Sequence, residues 1–160
     1  MTRPRVTEKF GGAPQSKQSL RLWLRLLSCS MIIEKRIRLK LSEDFGTTLP
    51  RFDVLAALQR NPAGLKMGEL SNWLLVSNGN VTVIVERLIE EGFVKRTQDE
   101  ADRRIQRVSL TPLGRRRFAA MAVRHEAWIE HMMGELKAAD VDALLDALEK
   151  LKTSMERNPI

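Results

Sequence analysis

Ser77-Asn-Gly-Asn-Val-Thr-Val-Ile-Val-Glu-Arg-Leu-Ile-Glu-Glu-Gly-Phe-Val-Lys-Arg96 is the stretch on which the fold turns. Five β-branched residues from Val81 to Val85 would suit a strand. The apolar positions Val81, Ile84, Val85 and Leu88, however, recur at three- and four-residue steps and lead into Ile89-Glu90-Glu91-Gly92. That spacing predicts a helix ended by Gly92. Ser77-Asn78-Gly79 predicts a turn and cap before it, and Met67, Leu70 and Leu74 predict a short helix before the turn. Downstream, Phe93–Thr97 and Ile105–Leu110 alternate like strands around the charged loop Gln98–Arg104, which predicts a hairpin with a long tip. A helix-turn-helix followed at once by a charged hairpin is a winged helix.

Working outward, a helical pattern runs from about Ser19 to Ser42 and ends at Gly46, with a core stripe of Leu20, Trp23/Leu24, Leu27, Met31 and Ile37/Leu41. Thr48 and Pro50 open a second helix whose apolar face is Phe52, Leu55, Ala56 and Leu58, stopped by Asn61-Pro-Ala-Gly64. Thr111-Pro112 restarts helix, with Met121, His125, Trp128, Ile129 and Met132 along one side as far as Met133. After Gly134 a last helix carries Val141, Leu144/Leu145, Leu148, Leu151 and Met155 at near-heptad spacing. The expected architecture is mainly α with a small β-hairpin wing. The expected parts are a basic tail (1–18), a first helix (19–47), a winged helix-turn-helix (48–112) and C-terminal helices (113–160).

The 160 residues suit one domain with a real core, and 43% apolar with 29% charged residues is a globular balance. A single Cys excludes a disulfide framework within the chain and a cysteine zinc cage, and fits a reducing compartment. The apolar runs, such as Met31–Ile33 and Trp73–Val76, fall far short of a membrane span, and residues 1–19 hold no apolar signal core. A cytoplasmic protein with no membrane partner is expected. The net charge of +7 points to a polyanionic partner. It is unevenly spread: residues 1–50 hold ten Lys and Arg against four Asp and Glu, residues 51–110 nine against eight, and residues 111–160 eight against eight. The surplus therefore lies in the tail and first helix, where Arg21, Arg25, Lys35, Arg36, Arg38 and Lys40 form a belt. It would attract DNA at long range or hold an anionic effector.

The opening stretch, followed by Asp99-Glu-Ala-Asp-Arg-Arg-Ile-Gln-Arg-Val-Ser-Leu-Thr-Pro-Leu-Gly114, resembles the MarR family of bacterial transcription regulators over roughly residues 20–155. Asp102-Arg103-Arg104 with Leu110-Thr111-Pro112-x-Gly114 looks like that family's signature. The resemblance implies a homodimer built from the first and last helices, a near-palindromic operator and a small-molecule effector, with no catalysis. Asn-Gly-Asn-Val-Thr is similar to regulators of aromatic-acid catabolism, which implies an aromatic acid or its CoA thioester as effector and release from DNA as a repressor. In one departure, Val83 stands where many relatives carry Arg.

In a winged helix the second helix enters the major groove and the hairpin tip reaches the minor groove or backbone. The candidate contacts are Ser77, Asn78, Gly79, Asn80, Thr82, Val83 and Arg87, with Glu86 and Glu90 turned from the phosphates. Asn amides pair with adenine edges, and Thr82 and Val83 suit a thymine methyl, so an A/T-leaning half-site is expected. At the tip Arg103 and Arg104 are the cations for a narrow groove; the resemblance favours Arg104, with Asp102 orienting the loop by pairing with an Arg. Lys95, Arg96 and Arg107 are candidates to track backbone, while Arg115-Arg116-Arg117 reads equally as electrostatic or as a solvated face. Trp23, Leu27, Met31, Phe52 and Trp128, with Arg36 and Arg38, are the candidate effector residues; the apolar ones suit a core equally. Cys29 reads as buried and structural. His125 and His131, six apart, cannot share a metal. No nucleophile–base pair, phosphate loop or metal spacing supports an enzyme or a cofactor. The competing reading is a protein-interaction module.

Overall fold

The computed structural model describes residues 17–74, 78–99, 102 and 104–158, with the side chains of Asn78 and Gly79 left aside. Its elements are α1 (Gln18–Phe45), α2 (Leu49–Arg60), β1 (Leu65–Lys66), α3 (Met67–Leu74), α4 (Asn78–Glu90), β2 (Val94–Gln98), β3 (Gln106–Leu110), α5 (Pro112–Met133) and α6 (Ala138–Arg157). They form two compact units, one ending at Met121 within α5 and the other beginning at Ala122.

The first unit is the winged helix. Its core is Leu55 and Leu58 of α2, Leu70 of α3, Val81, Val85 and Leu88 of α4, Val94, Val108 and Leu110 of the sheet, and Met121, none more than 2% exposed. The β-branched run is helical because its 81/85/88 stripe faces that core, and apolar burial outweighs the small helix-propensity loss of Val and Thr. α2 is buried on more of its circumference than expected. Val54 and Ala57 are buried, whereas Ala56 is only half-buried. Phe52 stacks on Phe118 with ring centroids 5.5 Å apart.

The sheet has three strands in the order β1-β3-β2, all neighbours antiparallel. The hairpin register is Val94↔Leu110 through Gln98↔Gln106, within one residue of the expected strands. β1 was not expected. Its two residues are too short for a periodic signal, and it pairs Leu65 with Val108. Gly64 makes that approach feasible: φ is 82°, and a Cβ there would lie 2.9 Å from the Val108 carbonyl oxygen.

α1 ends at Gly46 in the left-handed conformation, with the Gly46 and Thr47 N–H groups donating back to Ser42 and Leu41. Its expected core stripe holds only in part. Ile37 and Leu41 are buried, but Leu20, Trp23, Leu27 and Met31 are exposed, because only the C-terminal part of α1 meets the core. Cys29 is likewise exposed, against the expectation of a buried thiol.

Thr111 joins the wing to α5. Its hydroxyl donates to the Gly92 carbonyl at 2.6 Å and accepts the Gly114 N–H at 3.0 Å, capping the helix as expected. Gly114 packs so close to the wing that a Cβ would sit 1.9 Å from the Phe93 carbonyl oxygen. In the second unit, Val141, Leu144, Leu145, Leu148, Leu151 and Met155 ride on α6, where no residue is buried.

Candidate nucleic-acid interface

α4 has two faces. One carries Val81, Val85 and Leu88 into the core; the other exposes Asn80, Thr82, Val83 and Arg87. Asn78 and Gly79 open the helix itself rather than the turn before it, and Ser77 lies outside the described residues. Glu86 pairs with Arg96 of β2, so the carboxylate on the outer face is neutralised from the wing. Arg96, a candidate to track backbone, thus has an acidic partner on α4.

The described residues of the wing tip bond to one another. Asp99 N–H donates to the Ile105 carbonyl, and Ile105 N–H donates to that of Asp102, both at 2.9 Å. Asp102 is its hub: Oδ1 accepts the Arg104 backbone N–H at 3.0 Å and Nε at 3.1 Å, and Oδ2 accepts Arg104 Nη2 at 3.2 Å. These bonds hold the Asp102 carboxyl below the usual carboxylate range. Arg104 remains 91% exposed in its side chain, so its guanidinium is oriented yet reachable. Arg103 lies outside the described residues.

Arg107, a candidate to track backbone, acts as a clasp within the fold. Its Nε donates to Asp99 at 2.5 Å and Nη1 to the Gly64 carbonyl at 3.3 Å, with Glu69 at 3.8 Å. One side chain thus ties the wing tip to the turn before β1 and to α3. Sequence spacing carries no sign of this, because the partners are 8, 38 and 43 positions away. Glu69 also accepts the Lys66 N–H at 2.8 Å, fastening the start of α3. Lys95, Arg115 and Arg116 are exposed. Arg117 is not part of a solvated face: it donates to the Phe45 carbonyl at 2.5 Å and lies 5.5 Å from the Phe45 ring centroid. A cation on those last carbonyls of α1 complements the helix dipole.

The expected effector residues do not gather into a cavity in the first unit. Trp23, Leu27 and Met31 are on its surface, Phe52 is in its core, Arg36 is exposed, and Arg38 pairs with Glu34 at 2.5 Å. Trp128, in the second unit, is half-buried with Arg124 over its ring. A cavity of about 160 Å³ does occur in the first unit, between the end of α1, α2, the end of α4 and α5, with Thr47, Arg51, Glu91 and Arg117 in its wall. No sequence motif marks it. Among the described residues no helix is long and apolar enough to cross a membrane.

Known proteins bear on this arrangement. Residues 45–105 match the model of the MarR family. The chain is 29% identical over 160 residues to the transcriptional activatory protein BadR of Rhodopseudomonas palustris, covering 98% of this chain and 91% of that protein. A MarR family transcriptional regulator from Silicibacter pomeroyi has a crystal structure with 30% identity and a TM-score of 0.75, covering 90% of this chain and 99% of that one. Streptococcus pneumoniae FabT, solved in complex with DNA, shares the fold at 20% identity and a TM-score of 0.73, over 88% of this chain and 99% of that one. With a winged helix, an outward-facing second helix and an Arg-tipped wing, the chain belongs to the MarR family of DNA-binding transcription regulators.

Proposed function

We propose that the chain acts in the cytoplasm as a homodimeric, ligand-responsive regulator reading a near-palindromic operator. The observation that carries this reading is the outer face of α4, with Asn80, Thr82, Val83 and Arg87 exposed beside the oriented Arg104 of the wing. Asn78, Asn80, Thr82 and Val83 read an A/T-leaning half-site in the major groove, with Ser77, Gly79 and Arg87 along the backbone. Arg104, helped by Arg103, enters the adjacent minor groove while Asp102 holds it in aim. The exposed apolar side chains of α1, among them Trp23, Leu27 and Met31, and of α6, among them Leu145 and Leu148, support burial against a second copy. This assigns the first helix and the C-terminal helices to dimerisation. The effector is a small aromatic acid or its CoA thioester, and the chain is a repressor released by it.

Two other readings have their own support. The name of the relative from Rhodopseudomonas palustris, a transcriptional activatory protein, favours activation over repression. The near-neutral winged helix, nine cations against eight acids over residues 51–110, favours a protein-docking module. Gel shifts with the chain's own upstream DNA at two salt concentrations test the operator reading. Sequence preference with a steep loss at higher salt supports it; neither means a docking module. A reporter fused to that promoter, with and without the chain, decides between repression and activation.

A further inference from the structure

Arg104 does not hold its aim alone. Asp102, which anchors it, is itself held: its backbone N–H donates to Asp99 Oδ1 at 3.3 Å. The other oxygen of that carboxylate, Oδ2, accepts Arg107 Nε at 2.5 Å. Arg107 in turn donates through Nη1 to the Gly64 carbonyl at 3.3 Å, with Glu69 of α3 at 3.8 Å. A continuous chain of polar contacts therefore runs from the helix-turn-helix through Arg107, Asp99 and Asp102 to the guanidinium at the tip. Its inner links are covered and its last is open: the Asp99 and Arg107 side chains are 14% and 29% exposed, against 91% for Arg104. An ionised hydrogen bond sheltered from water is stronger than one in open solvent. The first strand of the hairpin has its own tie, because Arg96 of β2 pairs with Glu86 of α4.

We propose that Arg107 is a positioning residue for operator binding: through Asp99 and Asp102 it sets where Arg104 stands relative to the recognition helix, without itself touching DNA. A tip joined to the body by its two strands alone leaves that distance loose, and the groove must then order it. A tip clasped to Gly64 and α3 arrives already ordered, so less side-chain freedom is lost on binding. The offset between the base pairs under α4 and the narrow minor groove favoured by Arg104 is thereby fixed, which makes the clasp a determinant of operator spacing. Arg107 also neutralises Asp99, a carboxylate that would otherwise repel phosphate. The proposal rests on the reading above in which Arg104 enters the minor groove.

The test is a double-mutant cycle on the full chain, with affinity for its own upstream DNA read by gel shift at one salt concentration. Arg104→Ala is expected to weaken binding about 10- to 100-fold. Arg107→Met and Asp99→Asn should each weaken it about 3- to 30-fold. In the Arg104→Ala background both should change it by less than about twofold, which a general fold defect would not do. Asp99→Asn is the sharper variant: it removes a negative charge beside a polyanion, so charge alone predicts tighter binding and a lost clasp predicts weaker. Hydroxyl-radical footprints at saturating Arg107→Met should keep the protections that Arg104→Ala keeps and lose those that it loses. Tighter binding by Asp99→Asn, an undiminished loss in the Arg104→Ala background, or a uniformly faded footprint overturns the proposal. If Arg104→Ala weakens binding and both clasp variants do not, the clasp alone fails. If Arg104→Ala is harmless, the minor-groove reading fails and the clasp's role falls with it.

Discussion

Leu70 and Leu148 are the same side chain on amphipathic helices, and the molecule treats them oppositely. Leu70 of α3 is 0% exposed, whereas Leu148 of α6 is 43% exposed, as are its neighbours Leu144 and Leu145 to similar or greater degree. α1 repeats the contrast within one helix, with Ile37 and Leu41 buried and Trp23 and Met31 open. The winged helix is finished by its own chain. The helices before and after it in sequence carry apolar stripes that the described residues leave largely uncovered. Periodicity reports that a face is meant to be covered; it does not report by which chain.

The contrast breaks hardest at Gly114. Gly114→Ala forces a Cβ into the Phe93 carbonyl, which backbone shifts of α5 or of β2 must relieve. We expect a loss of about 3 kcal/mol or more, read as a fall in the denaturant midpoint. A near-wild-type midpoint would show that the wing and α5 are not locked together. Leu70→Ala belongs to the same finished region and should cost about 2–5 kcal/mol in the same measurement.

For the open region the matching change is Leu145→Glu with Leu148→Glu. Each leucine is worth about 1.5–3 kcal/mol when buried, so the dimer dissociation constant should rise by roughly a hundredfold or more in sedimentation, at little cost to the fold of the first unit. An unchanged sedimentation profile would mean that α6 is not covered by a second copy.

Arg104→Ala tests the surface between these extremes, where exposure is functional. Operator affinity should fall by about 1–3 kcal/mol and the salt slope by about one. Asp102→Asn should give part of that loss, because Arg104 keeps its charge but loses its ionised anchor. Equal affinity for wild type and Arg104→Ala would remove the wing tip from the interface.

The elements were legible where residues act on near neighbours. Val81/Val85/Leu88 betrayed α4, Thr111-Pro112 marked the start of α5, and Asp102 beside Arg104 announced the tip's ion pair. What stayed hidden depends on distant partners. β1 exists because β3 lies alongside it. Arg107, Arg96 and Arg117 look like free cations until Asp99, Glu86 and the Phe45 carbonyl arrive from elsewhere. The same holds for the aromatic side chains Trp23 and Phe52: they are equally apolar, yet one is on the surface and the other in the core. The cavity instead draws on Arg51 and Arg117, which sit in no motif.

The smallest expected effect lies at the seam where α1 passes from open to buried. Asp53 of α2 has its carboxyl pushed up to about 6, chiefly by burial and further by Glu34, with Arg38 opposing. Its unfolded value is near 4, so the folded chain binds the extra proton between these limits. The stability this proton confers is complete below about pH 4 and is lost as pH rises through 6. Because the carboxyl is partly open to solvent, the loss between pH 5 and 7 is discounted to about 0.5–1 kcal/mol. Asp53→Asn cannot titrate, so the difference between its stability and that of wild type should grow in the variant's favour by that amount from pH 5 to 7. A constant difference across that window would mean that α1 does not desolvate Asp53, and that the buried region ends before this turn of the helix.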